Sequence, residues 1–242
     1  MAIIDCYGEL GPQPYPTQAT TPDAVEKLMT RFGVDMTFVV STEALRGSMQ
    51  TGNAWLAAQI KERPKFKGYC VLHPLMLEAS IEEERKYLFT DKFVGAMIHE
   101  SAMVRPLYSD PMRHLVKSLL RYSGPLLLKI NEPRQLNDLE LLAKEFPTQK
   151  FMILHMADEM WQSALSTASQ LLNITLEIGG SNADNDKIAE GFATVGANRM
   201  VFGSGMPLIS PVYAMGIIRD SSISASDKDR ILDKNATKIF GL

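Results

Sequence analysis

At 242 residues, with 45% hydrophobic and 22% charged side chains, the chain has the length and composition of one large globular domain, which excludes disordered and collagen-like readings. Its formal net charge of -3, without any long Lys/Arg block, excludes nucleic acid and anionic lipid as expected partners and leaves a small molecule. Met-Ala-Ile-Ile-Asp-Cys carries no signal-like segment, no stretch is apolar enough to span a membrane, and Cys6 and Cys70 lack a C-x-x-C spacing, so a cytoplasmic protein is expected.

In chain order, Ala2 to Cys6 reads as a short strand ending at Tyr7-Gly8-Glu9, before a Pro/Thr-rich loop from Gly11 to Thr21. A helix is expected from Thr21 or Pro22 to Phe32, stopped by Gly33. The pair then recurs: strand Met36 to Ser41 and helix Thr51 to Arg63, then strand Phe66 to His73 and helix Ser80 to Phe89. Strand Phe93 to His99 leads to helix Asp110 to Tyr122, and Pro125 to Lys129 to helix Pro133 to Phe146. Lys150 to His155 precedes a helix at Asp158 to Leu171, and Asn173 to Ile178 precedes Asn185 to Val195. Arg199 to Gly203 precedes a helix beginning near Pro211, and a polar helix from Ser226 to Phe240 ends the chain.

Near-continuous apolar strands alternating with amphipathic helices imply a parallel sheet covered by helices. Eight such units in 242 residues predict a single α/β domain over 1–242, a (β/α)8 TIM barrel with an extra C-terminal helix. An open doubly wound sheet is the alternative, but no G-x-G-x-x-G follows the first strand.

Barrel active sites form at the C-terminal strand ends. The polar residues there are Tyr7, Glu9, Glu43, His73, His99, Glu100, Lys129, Asn131, His155, Asp158, Glu177 and Ser204. Three of the four histidines are among them, although a histidine closing a strand is as often structural as functional. Lys129 closes the apolar run Leu126-Leu127-Leu128, and an ammonium there needs a partner, for which Glu9 is the expected carboxylate. Glu177 faces either the barrel mouth or a helix.

Ile3 to Gly11, Asn53 to Pro74, Phe146-Pro147 through His155-Met156, Asn173 to Gly180 and the Gly196-Ala197-Asn198-Arg199 strand with its Gly203-Ser204 turn form a recognisable series. With Pro207, Asn235-Ala236 and Phe240-Gly241, they resemble the amidohydrolase-related family of metal-dependent TIM-barrel hydrolases and decarboxylases over the whole length. The resemblance implies D-x-H-x-H on the first strand, histidines after the fifth and sixth strands, and an aspartate after the eighth. Asp5 and His155 match, whereas Tyr7, Glu9, Lys129 and Gly205 stand at the other positions.

A catalytic zinc wants about three His, Asp, Glu or Cys ligands, and of the implied ligand positions only Glu9 keeps one. The expectation is therefore a metal-independent hydrolase, or lyase/decarboxylase, acting on a small carboxylate or carbonyl compound. His155 would be the general acid/base, Lys129 the electrostatic group or a Schiff-base amine, and Tyr7 and Glu9 first-strand contributors. His99, Ser204 and Gly205 would contact the substrate. The alternatives are a non-catalytic binding or interaction barrel, and a Zn or Mn ion held atypically by Glu9, His99 and His155. Family members are often oligomers, so a homo-oligomer is a further expectation.

Overall fold

The computed structural model describes residues 2–14, 16–17, 20–181 and 186–242. Eight strands form one parallel sheet in chain order: β1 (Ile4–Leu10), β2 (Met36–Ser41), β3 (Phe66–Leu72), β4 (Phe93–Ile98), β5 (Leu126–Leu128), β6 (Phe151–Ile153), β7 (Ile174–Ile178) and β8 (Met200–Phe202). The helices between them are α1 (Pro22–Phe32), α2 (Thr42–Arg46), α3 (Met49–Ile60), α4 (Leu77–Tyr87), α5 (Asp110–Leu119), α6 (Pro133–Glu145), α7 (Trp161–Gln170) and α8 (Asp186–Val195). After β8 come α9 (Pro211–Asp220), α10 (Ala225–Asp229), a π-helical turn at Arg230–Lys234, and α11 (Asn235–Phe240). This is the (β/α)8 barrel expected from the alternation. Among the described residues no helix is long and apolar enough to cross a membrane.

The strands are apolar on both faces because each face is buried. Phe38, Val40, Tyr69, Val71, Leu127, Met152 and Val201 fill the barrel interior, while Val39, Cys70, Leu126, Leu128, Leu176 and Ile178 pack outward under the helices. The period of two thereby places Glu177, between Leu176 and Ile178, on the inner face.

Local chemistry sets the helix ends. Thr21 caps α1 by accepting from the Ala24 N–H, and Gly33 ends it in the left-handed conformation at φ 71°. Ser41, the last residue of β2, caps α2 through the Ala44 N–H, so the chain turns straight from strand to helix and carries Arg46 back over the strand ends.

Several boundaries differ from expectation, three of them near the strand ends that bear the site. β1 continues through Tyr7, Gly8 and Glu9 to Leu10, because a register shift between Asp5 and Gly8 lets it stay paired with β2 as far as Ser41. α2 lies in a stretch that reads as loop, being only one turn long. β6 stops at Ile153, and His155 lies in the turn beyond it. Asn185, expected to open a helix, lies outside the described residues.

The barrel closes between β1 and the segment after β8. Glu9 N–H donates to Met206 O at 2.8 Å and Gly205 N–H to Tyr7 O at 2.9 Å. Asp5 completes the seam: Oδ1 accepts from the Ser204 N–H at 2.9 Å and Oδ2 from the Ser204 hydroxyl.

Candidate active site

The C-terminal strand ends open into a cavity of about 760 Å3 lined by Tyr7, Glu9, Arg46, Lys129, His155 and Gly205. Pro207, Leu208 and Ile209 supply an apolar wall. A second cavity, of about 680 Å3 at the opposite end of the barrel by Phe89 and Tyr122, has no histidine or buried carboxylate among its described lining residues.

On β1 the Tyr7 hydroxyl donates to Glu9 Oε1 at 2.8 Å. Burial, with Glu9 alongside, holds the Tyr7 phenol well above its ordinary value, so it acts as a proton-bearing donor. The partner of Glu9 is Arg46 and not Lys129: Arg46 Nη1 donates to Oε2 at 3.2 Å and Nη2 to Oε1 at 3.3 Å. Arg46 Nε also donates to Glu100 Oε2 at 3.1 Å. One guanidinium fork thus serves two carboxylates from different strand ends, a geometry a lysine does not offer.

His155 follows β6 in an unusual turn. His155, Met156, Ala157 and Asp158 have φ of 56°, 52°, 64° and 48°, four consecutive non-glycine residues in the left-handed region. The Glu177 carboxylate, fully buried on β7, stabilises this turn by accepting from the His155 backbone N–H at 2.7 Å. The same oxygen lies 3.1 Å from His155 Nδ1 as an ion-pair contact, while its geometry is spent on the backbone donor. Glycine is required at Gly203 and Gly179, where a Cβ would stand 2.1 Å and 2.3 Å from Glu177 Oε1.

Burial opposes charging the His155 imidazole, but the Glu177 carboxylate outweighs it, with help from Asp158 and against Lys129, and holds His155 above its ordinary value. The Tyr7 ring meets it edge-on at 5.4 Å between centroids. Among the described residues Nε2 makes no hydrogen bond, and His155 lines the cavity.

Lys129 stands two residues beyond the inward Leu127, lines the cavity, and makes no ion pair or hydrogen bond among the described residues. Gly205, at φ 74°, leaves open space: a Cβ there would find nothing nearer than 3.8 Å. Ser204 is buried, its hydroxyl donating to Asp5 and accepting from the Met206 N–H at 2.9 Å. Burial, opposed by the Ser204 hydroxyl, pushes Asp5 up to about 7. His99 is not among the residues lining the cavity. Its Nδ1 accepts from the Ser101 N–H at 3.1 Å and its Nε2 lies 3.2 Å from Gly47 O, so it caps the turn after β4.

Of the residues expected at the site, the fold brings Tyr7, Glu9, Lys129, His155 and Gly205 to one cavity. Arg46 was not anticipated. Its one local signal is its place in the last turn of a short helix directly after a strand end.

A divalent ion needs about three neutral or anionic donors. Here Glu9 is engaged by Arg46, Tyr7 keeps its proton, and Lys129 stands at the end of the fifth strand. Among the described residues this donor set does not fit a metal. Among the described residues no three His, Cys, Asp or Glu side chains cluster to hold one, and Glu9, His99 and His155 do not form a ligand set.

The family model described as amidohydrolase matches residues 7–242. The chain belongs to the amidohydrolase family. No curated protein matches it by sequence. Among solved structures, this amidohydrolase chain resembles the dihydroxybenzoic acid decarboxylase from Polaromonas with bound manganese and the inhibitor 2-nitroresorcinol, at TM-score 0.82 and 16% identity over 100% of this chain and 97% of that one. It also resembles 5-carboxyvanillate decarboxylase from Sphingomonas paucimobilis, at TM-score 0.78 and 13% identity over 100% and 99% of the two chains. An amidohydrolase from Burkholderia multivorans with bound hepes matches at TM-score 0.81 and 14% identity over the full length of both. At these identities the likeness is one of fold.

Proposed function

We propose that this amidohydrolase-family barrel is a metal-independent lyase that removes carboxylate from a small, apolar-bodied carboxylic acid. The carrying observation is that His155, an imidazole that Glu177 holds above its ordinary value, lines the cavity with an Nε2 that makes no hydrogen bond among the described residues and is therefore poised to give a proton. Hydrolysis needs a base to activate water, and Glu9, the carboxylate of the first strand, is engaged through both oxygens by Arg46. Lys129 anchors an anionic or carbonyl oxygen of the substrate, and Pro207 to Ile209 receive its body.

His155 delivers a proton to the carbon bearing the carboxylate. The carbon–carboxylate electron pair stays on that carbon, the new C–H bond takes its place, and CO2 leaves. Tyr7 lies beside the imidazole and donates to Glu9, which Arg46 fixes. The fold likeness to decarboxylases of aromatic acids supports the same reaction class.

A panel of small aromatic and 2-oxo acids, assayed for CO2 release with chelator-treated protein of measured metal content, tests this reading. Turnover lost in both His155→Gln and Lys129→Met supports it. Turnover only after adding manganese or zinc rejects the metal-independent part. Tight binding of an acid without turnover favours a binding barrel.

A further inference from the structure

The backbone N–H and C=O of His155 are both held by buried, oppositely charged side chains. Glu177, 0% exposed, accepts from its N–H at 2.7 Å, and Lys187, 1% exposed, donates from Nζ to its carbonyl at 2.9 Å. These grips come from β7 and α8, and neither Glu177 nor Lys187 is among the residues lining the cavity. An α-helix near a barrel normally contributes apolar side chains to this layer, and α8 does so through Ile188. A fully buried lysine in that layer carries a desolvation cost that an apolar residue would avoid, so its placement needs an explanation in what it holds.

What it holds is a strained segment. Four successive non-glycine residues at positive φ are unfavourable, and such a turn persists only where its surroundings over-determine it. Gly180, at φ 82°, presses against the same turn, where a Cβ would stand 2.9 Å from His155 Cβ and 2.5 Å from Asp158 Oδ1. The peptide between His155 and Met156 is thereby fixed in orientation by Lys187, and the ring direction follows from it. Relaxation of that peptide toward the right-handed region would swing Nδ1 away from Glu177 Oε2.

We propose that Lys187 is a positioning residue for His155, acting through the backbone to keep the imidazole against Glu177. Lys187 is not itself among the residues lining the cavity. The inference rests on the reading of His155 as the proton donor, but its test measures the imidazole directly and requires no substrate. The charged and titratable groups facing the ring are Glu177, Asp158, Lys129 and Tyr7, with Lys187 behind it on α8.

The experiment is an NMR titration of His155 in a cycle of Glu177→Gln and Lys187→Met. Glu177→Gln alone lowers the His155 midpoint. In the Lys187→Met background the same change should lower it by less than half as much, because the ring no longer rests against that carboxylate. The direct charge effect of Lys187 cancels in the cycle. Lys187→Arg, which keeps a buried donor, should retain most of the coupling. If Lys187→Met does not fold, Lys187→Gln takes its place in the cycle with the same expectation. An equal fall with and without Lys187 overturns the proposal, whatever the outcome of the substrate screen.

Discussion

Arg46 holds Glu9 by both carboxylate oxygens, at 3.2 and 3.3 Å, across 37 positions of sequence. The cation brought to the first strand is thus part of the chain, and Lys129, the other cation of the cavity, makes no ion pair among the described residues. Arg46→Met removes the partner of a carboxylate that is only 6% exposed, and should cost about 1–2 kcal/mol in urea unfolding. Glu9→Gln added to it should recover part of that loss. Strictly additive losses would mean the contact carries no coupling.

Asp5 gives stability a pH dependence of unusual sign. Its folded value near 7 lies above the ordinary 3.8, so the folded chain keeps a proton that the unfolded chain has released. For this group, stability is greatest below about pH 4, declines as pH rises toward 7, and carries the full penalty above that. The separation of the two values caps the penalty at about 4 kcal/mol. In Asp5→Asn the difference in unfolding free energy between pH 5 and pH 8 should shrink relative to the parent chain. An identical difference would show that Asp5 does not titrate in this range.

If protonated His155 is the proton donor, kcat/KM on an accepted substrate should fall as pH rises through its pKa, which Glu177 holds above the ordinary 6.5. Glu177→Gln should move that fall to lower pH as well as lowering the rate. A fall at the same pH in both proteins would separate the limb from this imidazole.

Gly205→Asp returns a carboxylate to the turn after β8. The space is open, with the nearest atoms at 3.8 Å, one of them His155 Cε1, but φ of 74° strains a side-chain-bearing residue. The variant should fold with a loss of about 1 kcal/mol, and the added carboxylate should raise the His155 pKa in an NMR titration. With Arg46 and Lys129 in place it should gain no metal affinity, as isothermal titration with Mn2+ would show.

The barrel was legible because eight apolar strands buried on both faces leave a signal that needs no tertiary knowledge, from Met36–Ser41 to Ile174–Ile178. The end of β1 was not, since Gly8 and Glu9 carry turn-like chemistry. Gly8 serves instead for a close approach, a Cβ there meeting Met206 O at 3.1 Å. His155 and Lys129 were visible as polar residues closing apolar strands. The inward direction of Glu177 became decidable only with its neighbours' packing known. Arg46 escaped notice because its role depends on Glu9 and Glu100, both distant in sequence. His99 shared the strand-end signature of His155, but its ring folds back onto its own turn through Ser101.

The link between Asp5 and Ser204 joins residues 199 positions apart, and it lies at the seam where β1 meets the turn after β8. Every other neighbouring pair of strands is adjacent in the chain and pairs as a local strand–helix–strand unit. Ring closure alone must bring the most distant parts of the polypeptide together, and it is the longest single loop closure of the fold. During synthesis the part of the cavity wall formed by Gly205 and Pro207 to Ile209 therefore comes into place only after the eighth strand has been made, so the first-strand side of the cavity waits, uncovered, for nearly the whole chain.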